Sequence, residues 1–450
     1  MKEPVDIVEK TARRHASAEL LGLGLRLRQL RVGAGLTQTE LAGERFSKEY
    51  LSQIERGKTR PTRATVDWLA TRLGVDPGLL ATGVATDART RIEAVLARAE
   101  ALMEAGRFEE AAGEFATVRE TGAGLTPELQ VRAYRGEAWA LVERGEVREA
   151  IALLDRARDL VERTGFSDLD RAEVLFRLGV CRYKLSSIST SLGLLTQSLE
   201  LAERSGFPCD LLRSQILSWR SRCYRRQRDL EGAREDVERA LELAQGLGDR
   251  AATANAYVQA SLVAEREGRW LLARTYAERA KSYYEELNDS REVAGLLNNL
   301  GGLNLMLGKP EQAIEYLKRS FAVALEADSK EDAAQAAGSL AAVHLQTGDH
   351  VQAEELARHA LELLEGRVDY LHEIGPTQLV LGRTLMEQGR LDEAEPWLKA
   401  AEASFDQLSS ASHRAAAWIA LGDLAAKRGD DRAAARLYRN AAEALQDVRF

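Results

Sequence analysis

"GKPEQA" at residues 308–313 recurs as "GDHVQA" at 348–353, "GRLDEA" at 389–394 and "GDDRAA" at 429–434. Each is a glycine, four further positions and then an alanine, and the glycines Gly308, Gly348, Gly389 and Gly429 keep one spacing to within a single position. Toward the N-terminus the same frame fits Gly268–Ala273, Gly145–Ala150 and Gly106–Ala111. Ser186–Ser191 and Arg228–Ala233 keep the spacing without the glycine. Nine copies at a period of about 40 imply stacked units, each burying its apolar face on its neighbours.

The physics of one unit is readable. An apolar-periodic helix of about 17 residues runs into the glycine, which takes a left-handed turn without steric cost. The alanine at the end of the frame falls early in a second helix, where a small side chain lets the paired helices approach. Four copies also carry a Leu-Gly pair ahead of the junction: Leu178-Gly179, Leu300-Gly301, Leu381-Gly382 and Leu421-Gly422. The leucine fills the seam between helices and the glycine makes room for the neighbour.

This pattern resembles the tetratricopeptide repeat over roughly residues 88–450. The usual repeat is about 34 residues long, so units of about 40 imply longer helices. The expected fold is all-α: a small N-terminal helical bundle followed by a right-handed α-solenoid of about nine helix pairs. In such solenoids the first helix of each unit lines the concave face.

Composition supports this reading. With 45% hydrophobic and 29% charged residues, the chain has the make-up of a globular protein, and 450 residues suggest more than one core. Eight prolines and few β-branched runs favour helix nearly throughout. No apolar run is long enough for a membrane span, and "MKEPVDIVEKTARRHASAE" lacks the apolar centre of a signal peptide. Three cysteines make no disulfide framework, which points to a reducing cytoplasm. Cys181 and Cys223 fall at equivalent places in adjacent units, as small packing residues would. Residues 1–83 hold 14 Lys/Arg against 10 Asp/Glu, leaving 48 against 60 in the remainder. A basic head on an acidic body suits a head that meets phosphate. The Gly/Pro-rich stretch "VDPGLLATGVATD", residues 75–87, marks a boundary. The expected divisions are an arm (1–18), a head (19–83) and the repeats (84–450).

In the head, Leu23, Leu27 and Leu30 share one helix face, with Arg26, Arg28 and Arg31 on the rest. Thr37 and Glu40 form a capping box for a short helix whose Leu41 and Ala42 turn inward. Ser47 caps a second short helix with Leu51 and Ile54 inward, and a further helix adds Val66, Trp68, Leu69 and Leu73. Two short helices joined by a tight turn form a helix-turn-helix.

The string "LTQ…LA…S…YLSQIERGK…RP" resembles the DNA-binding domain of phage-repressor-type regulators over about residues 22–83. That resemblance implies that the second short helix enters the major groove, with Lys48, Glu49 and Gln53 reaching base edges. It assigns Gln38 a phosphate contact and a bracing role. A glutamine amide can bond adenine bidentately. Arg56, Lys58, Arg60 and Arg63 would neutralise phosphates, with Ser47 as a further backbone contact. Glu55 reads as an ion-pair partner within the domain. The turn from Ala42 to Ser47 is one residue shorter than is usual in the family, with Phe46 in its apolar slot.

On the repeats, groove-facing candidates are Arg177, Trp219, Arg222, Asn255, Gln259, Asn298 and Asn299. Asparagine amides can bond both the N–H and the C=O of an extended peptide. Arg222, Arg225 and Arg226 share a helix face, and three guanidiniums together favour an anion. The six histidines have no metal-ligand spacing and no phosphate-cradling loop occurs, so no cofactor and no enzyme activity are expected. The whole arrangement resembles the peptide-responsive regulators of Gram-positive bacteria. It implies a homodimer that binds double-stranded DNA at an inverted-repeat operator and a short peptide or protein partner in the solenoid groove. The alternative is a scaffold that binds a protein partner, such as a response regulator, with DNA binding secondary.

Overall fold

A computed structural model describes residues 22–83, 86–121, 125–163, 165–367, 370–408 and 410–446. The expected arm, residues 1–18, lies outside the described residues. Those residues contain twenty-three helices and no strand. The chain divides into two compact units, Met1–Leu243 and Ala244–Phe450.

The first unit opens with five helices: α1 (residues 22–33), α2 (Gln38–Ala42), α3 (Lys48–Glu55), α4 (Arg63–Leu73) and α5 (Pro77–Thr82). Three helix pairs follow: α6 (Thr86–Glu104) with α7 (Phe108–Glu120), α8 (Pro127–Glu143) with α9 (Val147–Arg163), and α10 (Asp168–Lys184) with α11 (Ile188–Arg204). A fourth joins α12 (Asp210–Arg226) to α13 (Leu230–Leu247), inside which the unit boundary falls. The second unit holds α14 (Arg250–Arg266) with α15 (Trp270–Glu286), α16 (Ser290–Met306) with α17 (Pro310–Glu326), and α18 (Lys330–Thr347) with α19 (His350–Leu363). Its last pairs are α20 (Leu371–Glu387) with α21 (Leu391–Gln407) and α22 (Ala411–Lys427) with α23 (Asp431–Gln446). The architecture is therefore a helical bundle followed by an α-solenoid of nine helix pairs.

The repeat frame has a backbone cause. All nine junction residues are left-handed, from Gly106 (φ 70°) to Gly429 (φ 80°), and Ser186 (59°) and Arg228 (64°) adopt that conformation without being glycine. The residues that close the frame, Ala111, Ala150, Ser191, Ala233, Ala273, Ala313, Ala353, Ala394 and Ala434, are all buried. In the seam, a Cβ on Gly301 would lie 2.5 Å from Leu317 Cγ, and one on Gly179 would lie 2.7 Å from Leu195 Cγ. Each glycine is filled by a side chain of the partner helix, and at Gly422 the filler is Tyr438.

A second left-handed turn, between one pair and the next, has little sequence signal. Gly248, Asn288 and Asp328 have φ of 67°, 56° and 53°. The residue after each, Asp249, Asp289 or Ser329, caps the following helix through its side chain. The boundary stretch also hides a helix: Asp76 caps α5, Pro77 opens it, and Leu80 is fully buried in the head's core. Cys181 and Cys223 are both buried, with Cys223 Sγ 3.3 Å from Ser191 Oγ, and burial pushes both thiols above their ordinary pKa.

Two substitutions test the frame by thermal unfolding. Arg228→Gly should stabilise by about 1 kcal/mol, because a left-handed L-residue costs about that much. Gly301→Ala should destabilise by about 1–3 kcal/mol through overpacking against Leu317.

Candidate DNA-reading face and repeat walls

The head is built on Leu27, Leu41, Leu51, Ile54, Val66, Leu69 and Leu80, which contribute one or more side chains from each of its five helices. A single buried carboxylate then fixes the geometry. Glu55, whose side chain is 3% exposed, accepts from Arg31 Nε at 2.6 Å and Nη2 at 3.1 Å, and from Gln38 Nε2 at 2.7 Å. Arg31 Nη1 also donates to the Leu36 carbonyl at 2.8 Å. One acidic side chain thus joins α1, α2 and α3, and its hydrogen bond raises the Arg31 pKa. Gln38 is braced as the sequence suggested. Arg31 is not on an outer face, and nor is Arg26, which donates to the Leu80 carbonyl at 3.1 Å and to that of Ala81.

Gly24 was not singled out by sequence, yet a Cβ there would lie 2.4 Å from the Ile54 carbonyl oxygen and 2.7 Å from that of Glu55. Backbone meets backbone here, so α1 sets the position of the end of α3. Its only signal is a glycine in the apolar half of "LGLGLRL".

The helix α2 and the turn that follows it are held by several contacts. Thr37 and Glu40 form the capping box, Arg72 Nη2 donates to the Glu40 carbonyl at 2.9 Å, and Gly43 is left-handed in φ (55°). Phe46 packs edge-on against Trp68, with ring centroids 5.2 Å apart, and tilted against Tyr50 at 5.4 Å. Ser47 Oγ accepts from the Tyr50 amide at 3.0 Å, capping α3.

With Leu51, Ile54 and Glu55 turned inward, Lys48, Glu49 and Gln53 are left exposed on α3 and Arg56 just past its end. Gln53 Oε1 accepts from Thr59 Oγ1 at 2.9 Å, so a residue beyond the helix orients the amide. Ser47, Lys58, Arg60 and Arg63 are also exposed, Arg63 as the first residue of α4.

The repeat candidates fall into two sets. In the first unit, Arg177 on α10 is half-buried over the Trp139 ring (5.8 Å to its centroid), and Arg222 lies over Trp219 at 4.2 Å. Tyr183 meets Trp219 edge-on at 5.4 Å. In the second unit, Asn255 on α14 and Asn298 and Asn299 on α16 are half-buried. Gln259 is 2% exposed, so its side chain belongs to the packing between helices and not to an open wall. Asn304 is likewise internal, donating to the Leu300 carbonyl at 2.7 Å.

The head's dependence on Glu55 and Gly24 gives two expected outcomes. Glu55→Ala should destabilise the head by about 3–5 kcal/mol, because it strands Arg31. Gly24→Ala should do so by forcing α1 from α3. Both are read by hydrogen exchange at the α1 and α3 amides, where unchanged protection would refute the assignment.

Comparison with known proteins agrees with this architecture. The chain matches the tetratricopeptide repeat at residues 212–286, 292–366 and 373–447, and in a second form at 96–163 and 135–205. Residues 22–82 match a helix-turn-helix domain. No curated protein matches the chain. Among solved structures, the apo quorum sensor NprR from B. thuringiensis has a TM-score of 0.59 at 14% identity, over 79% of this chain and 99% of that one. A Rap protein complexed with competence and sporulation factor gives 0.51 at 15%, over 79% and 99%. A STAND signal-transduction ATPase with a tetratricopeptide-repeat sensor, from Pyrococcus horikoshii, gives 0.52 at 16% over 76% of this chain, which spans only 52% of it. At these identities the likeness is one of fold. No helix among the described residues is long and apolar enough to cross a membrane. The chain belongs to the tetratricopeptide-repeat family and carries an N-terminal helix-turn-helix domain of the phage-repressor type.

Proposed function

We propose that this chain is a sequence-specific DNA-binding transcriptional regulator of the cytoplasm, in which residues 19–83 read DNA and residues 84–450 sense a short peptide or other ligand. The observation that carries the DNA reading is the exposed face of α3, held by the Ser47 cap and the Glu55 ion pair. From Lys48 to Arg56 it runs about 12 Å at about 1.5 Å per residue, close to the width of the major groove. Lys48, Glu49 and Gln53 then meet base edges. Gln38, Ser47, Arg56, Lys58, Arg60 and Arg63 meet phosphates.

A head of this size covers one half-site, so a homodimer on an inverted repeat supplies useful affinity. The ligand acts by favouring one arrangement of the two heads. The shared fold of the quorum sensor NprR and of a Rap protein solved with its factor supports a peptide as ligand. Asn255, Asn298 and Asn299 offer amides to a peptide backbone, and Arg177, Trp219 and Arg222 offer charge and ring faces.

The test is capture of fragmented genomic DNA on the full-length protein, followed by sequencing. Inverted half-sites one helical turn or a multiple apart are expected, and no enrichment would overturn the DNA reading. Gln53→Ala should relax preference at one base pair by about 1–3 kcal/mol while leaving salt-sensitive binding in place. Lys58→Ala should weaken all sequences alike and reduce the salt slope by about 1. An unchanged slope would remove Lys58 from the phosphate contacts.

A further inference from the structure

Three helices of the second unit close on one tyrosine hydroxyl. Gln245 Nε2, near the end of α13, donates to the Tyr257 hydroxyl of α14 at 2.9 Å, and Arg279 Nη1 of α15 donates to it at 3.0 Å. The oxygen is thus a double acceptor, and its own hydrogen has no acceptor among the described residues. Tyr257 is only 3% exposed and, with the buried Thr253, forms the floor of a cavity of about 650 Å³. A buried O–H without an acceptor is unfavourable, and an acceptor brought into the cavity would relieve it.

The charge around this floor favours an anion. Arg279 lies over the Tyr257 ring, 5.5 Å from its centroid, and has no carboxylate within ion-pair distance among the described residues. The neighbouring carboxylates are taken. Glu286 pairs with Arg250 at 3.1 Å, Glu285 pairs with Lys281 at 2.9 Å, and Glu278 accepts from the Tyr316 hydroxyl at 2.5 Å. An adjoining cavity of about 530 Å³ shares Arg279 and Ser282 and adds Arg274 to its lining. What converges here is a set of donors: the Tyr257 O–H, the remaining Arg279 N–H groups and the exposed Ser282 hydroxyl.

We infer that this cavity binds the phosphate group of a small phosphorylated metabolite, with Tyr257 and Arg279 as its donors. The inference goes beyond the peptide-sensing reading and does not depend on it, because the walls come from α13 and α15, the second helices of their pairs. A phosphomonoester carries a charge of about −1.5 to −2 and three acceptor oxygens, enough for the Tyr257 hydroxyl, the Arg279 fork and Ser282 together. The cavity falls within the range of about 300–1,000 Å³ that small organic ligands occupy. A bare phosphate would leave most of it to water, whereas the organic part of an ester would pack beside Tyr283, whose ring stacks on Tyr257 at 6.0 Å.

The test is calorimetric titration of the full-length protein with inorganic phosphate, glucose 6-phosphate and AMP, and with glucose and adenosine as uncharged counterparts. Binding of the phosphate-bearing probes is expected, tighter for an ester than for inorganic phosphate and absent for the counterparts. Arg279→Gln, at an exposed position with no ion pair to lose, should weaken it about tenfold. Tyr257→Phe, which keeps the ring and deletes the donor, should weaken it by a similar factor, and Arg279→Lys should restore part of the affinity. Capture of genomic DNA should be unchanged in all three variants, which separates this site from phosphate contacts of the head. No binding of any phosphate-bearing probe, or the same affinity in Arg279→Gln and Tyr257→Phe as in the unaltered protein, would overturn the inference. Inorganic phosphate binding as tightly as both esters would overturn it in favour of a site for the free anion.

Discussion

Where Leu317 leans onto Gly301, two helices of one unit approach so closely that a Cβ on α16 at that point would lie 2.5 Å from Leu317 Cγ. The residue at this place in the units from α8 onward is Ala138, Gly179, Ser221, Ser261, Gly301, Ala341, Gly382 and Gly422, always small. Packing density makes the constraint steep, since a single methyl group must displace the filler from its rotamer well. Serine meets it in its own way: Ser261 Oγ donates to the Ala273 carbonyl at 2.8 Å, placing a hydrogen bond in the seam where glycine would leave bare contact. From this approach follow the buried alanine on the facing helix and the left-handed residue that turns the chain between them.

In the head the corresponding constraint is electrostatic. Glu55 is almost without solvent, and it is tolerable there because three N–H donors from two other helices converge on it. An apolar residue would fill the space but would specify no direction. The bidentate pair with Arg31 and the bond from Gln38 require α1 and α2 to stand in one relation to α3. What α3 presents outward depends on what its inward carboxylate holds.

Much of this was legible in the sequence because two periodicities, one from unit to unit along the chain and one from turn to turn within each helix, report on backbone and burial. Ser186 and Arg228 were found from spacing alone, and both keep the left-handed backbone of the glycines they replace. Asn288 and Asp328 turn the chain as sharply but carry no glycine to announce it. The α5 helix was hidden because Asp-Pro-Gly reads equally as a loop and as a helix start, and only the burial of Leu80 decides. Residue type placed Arg26 and Arg31 outward, since the pattern of α1 cannot foresee a carboxylate at the end of α3 or the carbonyls of α5. Gln259 failed for the converse reason: an amide on the expected wall can be buried by its neighbours.

Among the described residues, the four left-handed ones that are not glycine, Ser186, Arg228, Asn288 and Asp328, all lie in the middle of the repeats, and the flanking junctions are glycine. In an array held by nearest-neighbour contacts, opening begins at the weakest junction and not necessarily at an end. Asparagine and aspartate accept this backbone at modest cost, whereas serine and arginine accept it at more. Amide exchange under native conditions would therefore run faster around residues 186 and 228 than in the glycine-bounded pairs after Gly348. A solenoid arranged so would be softest at an interior hinge, and its end repeats would hold their shape while its centre breathes.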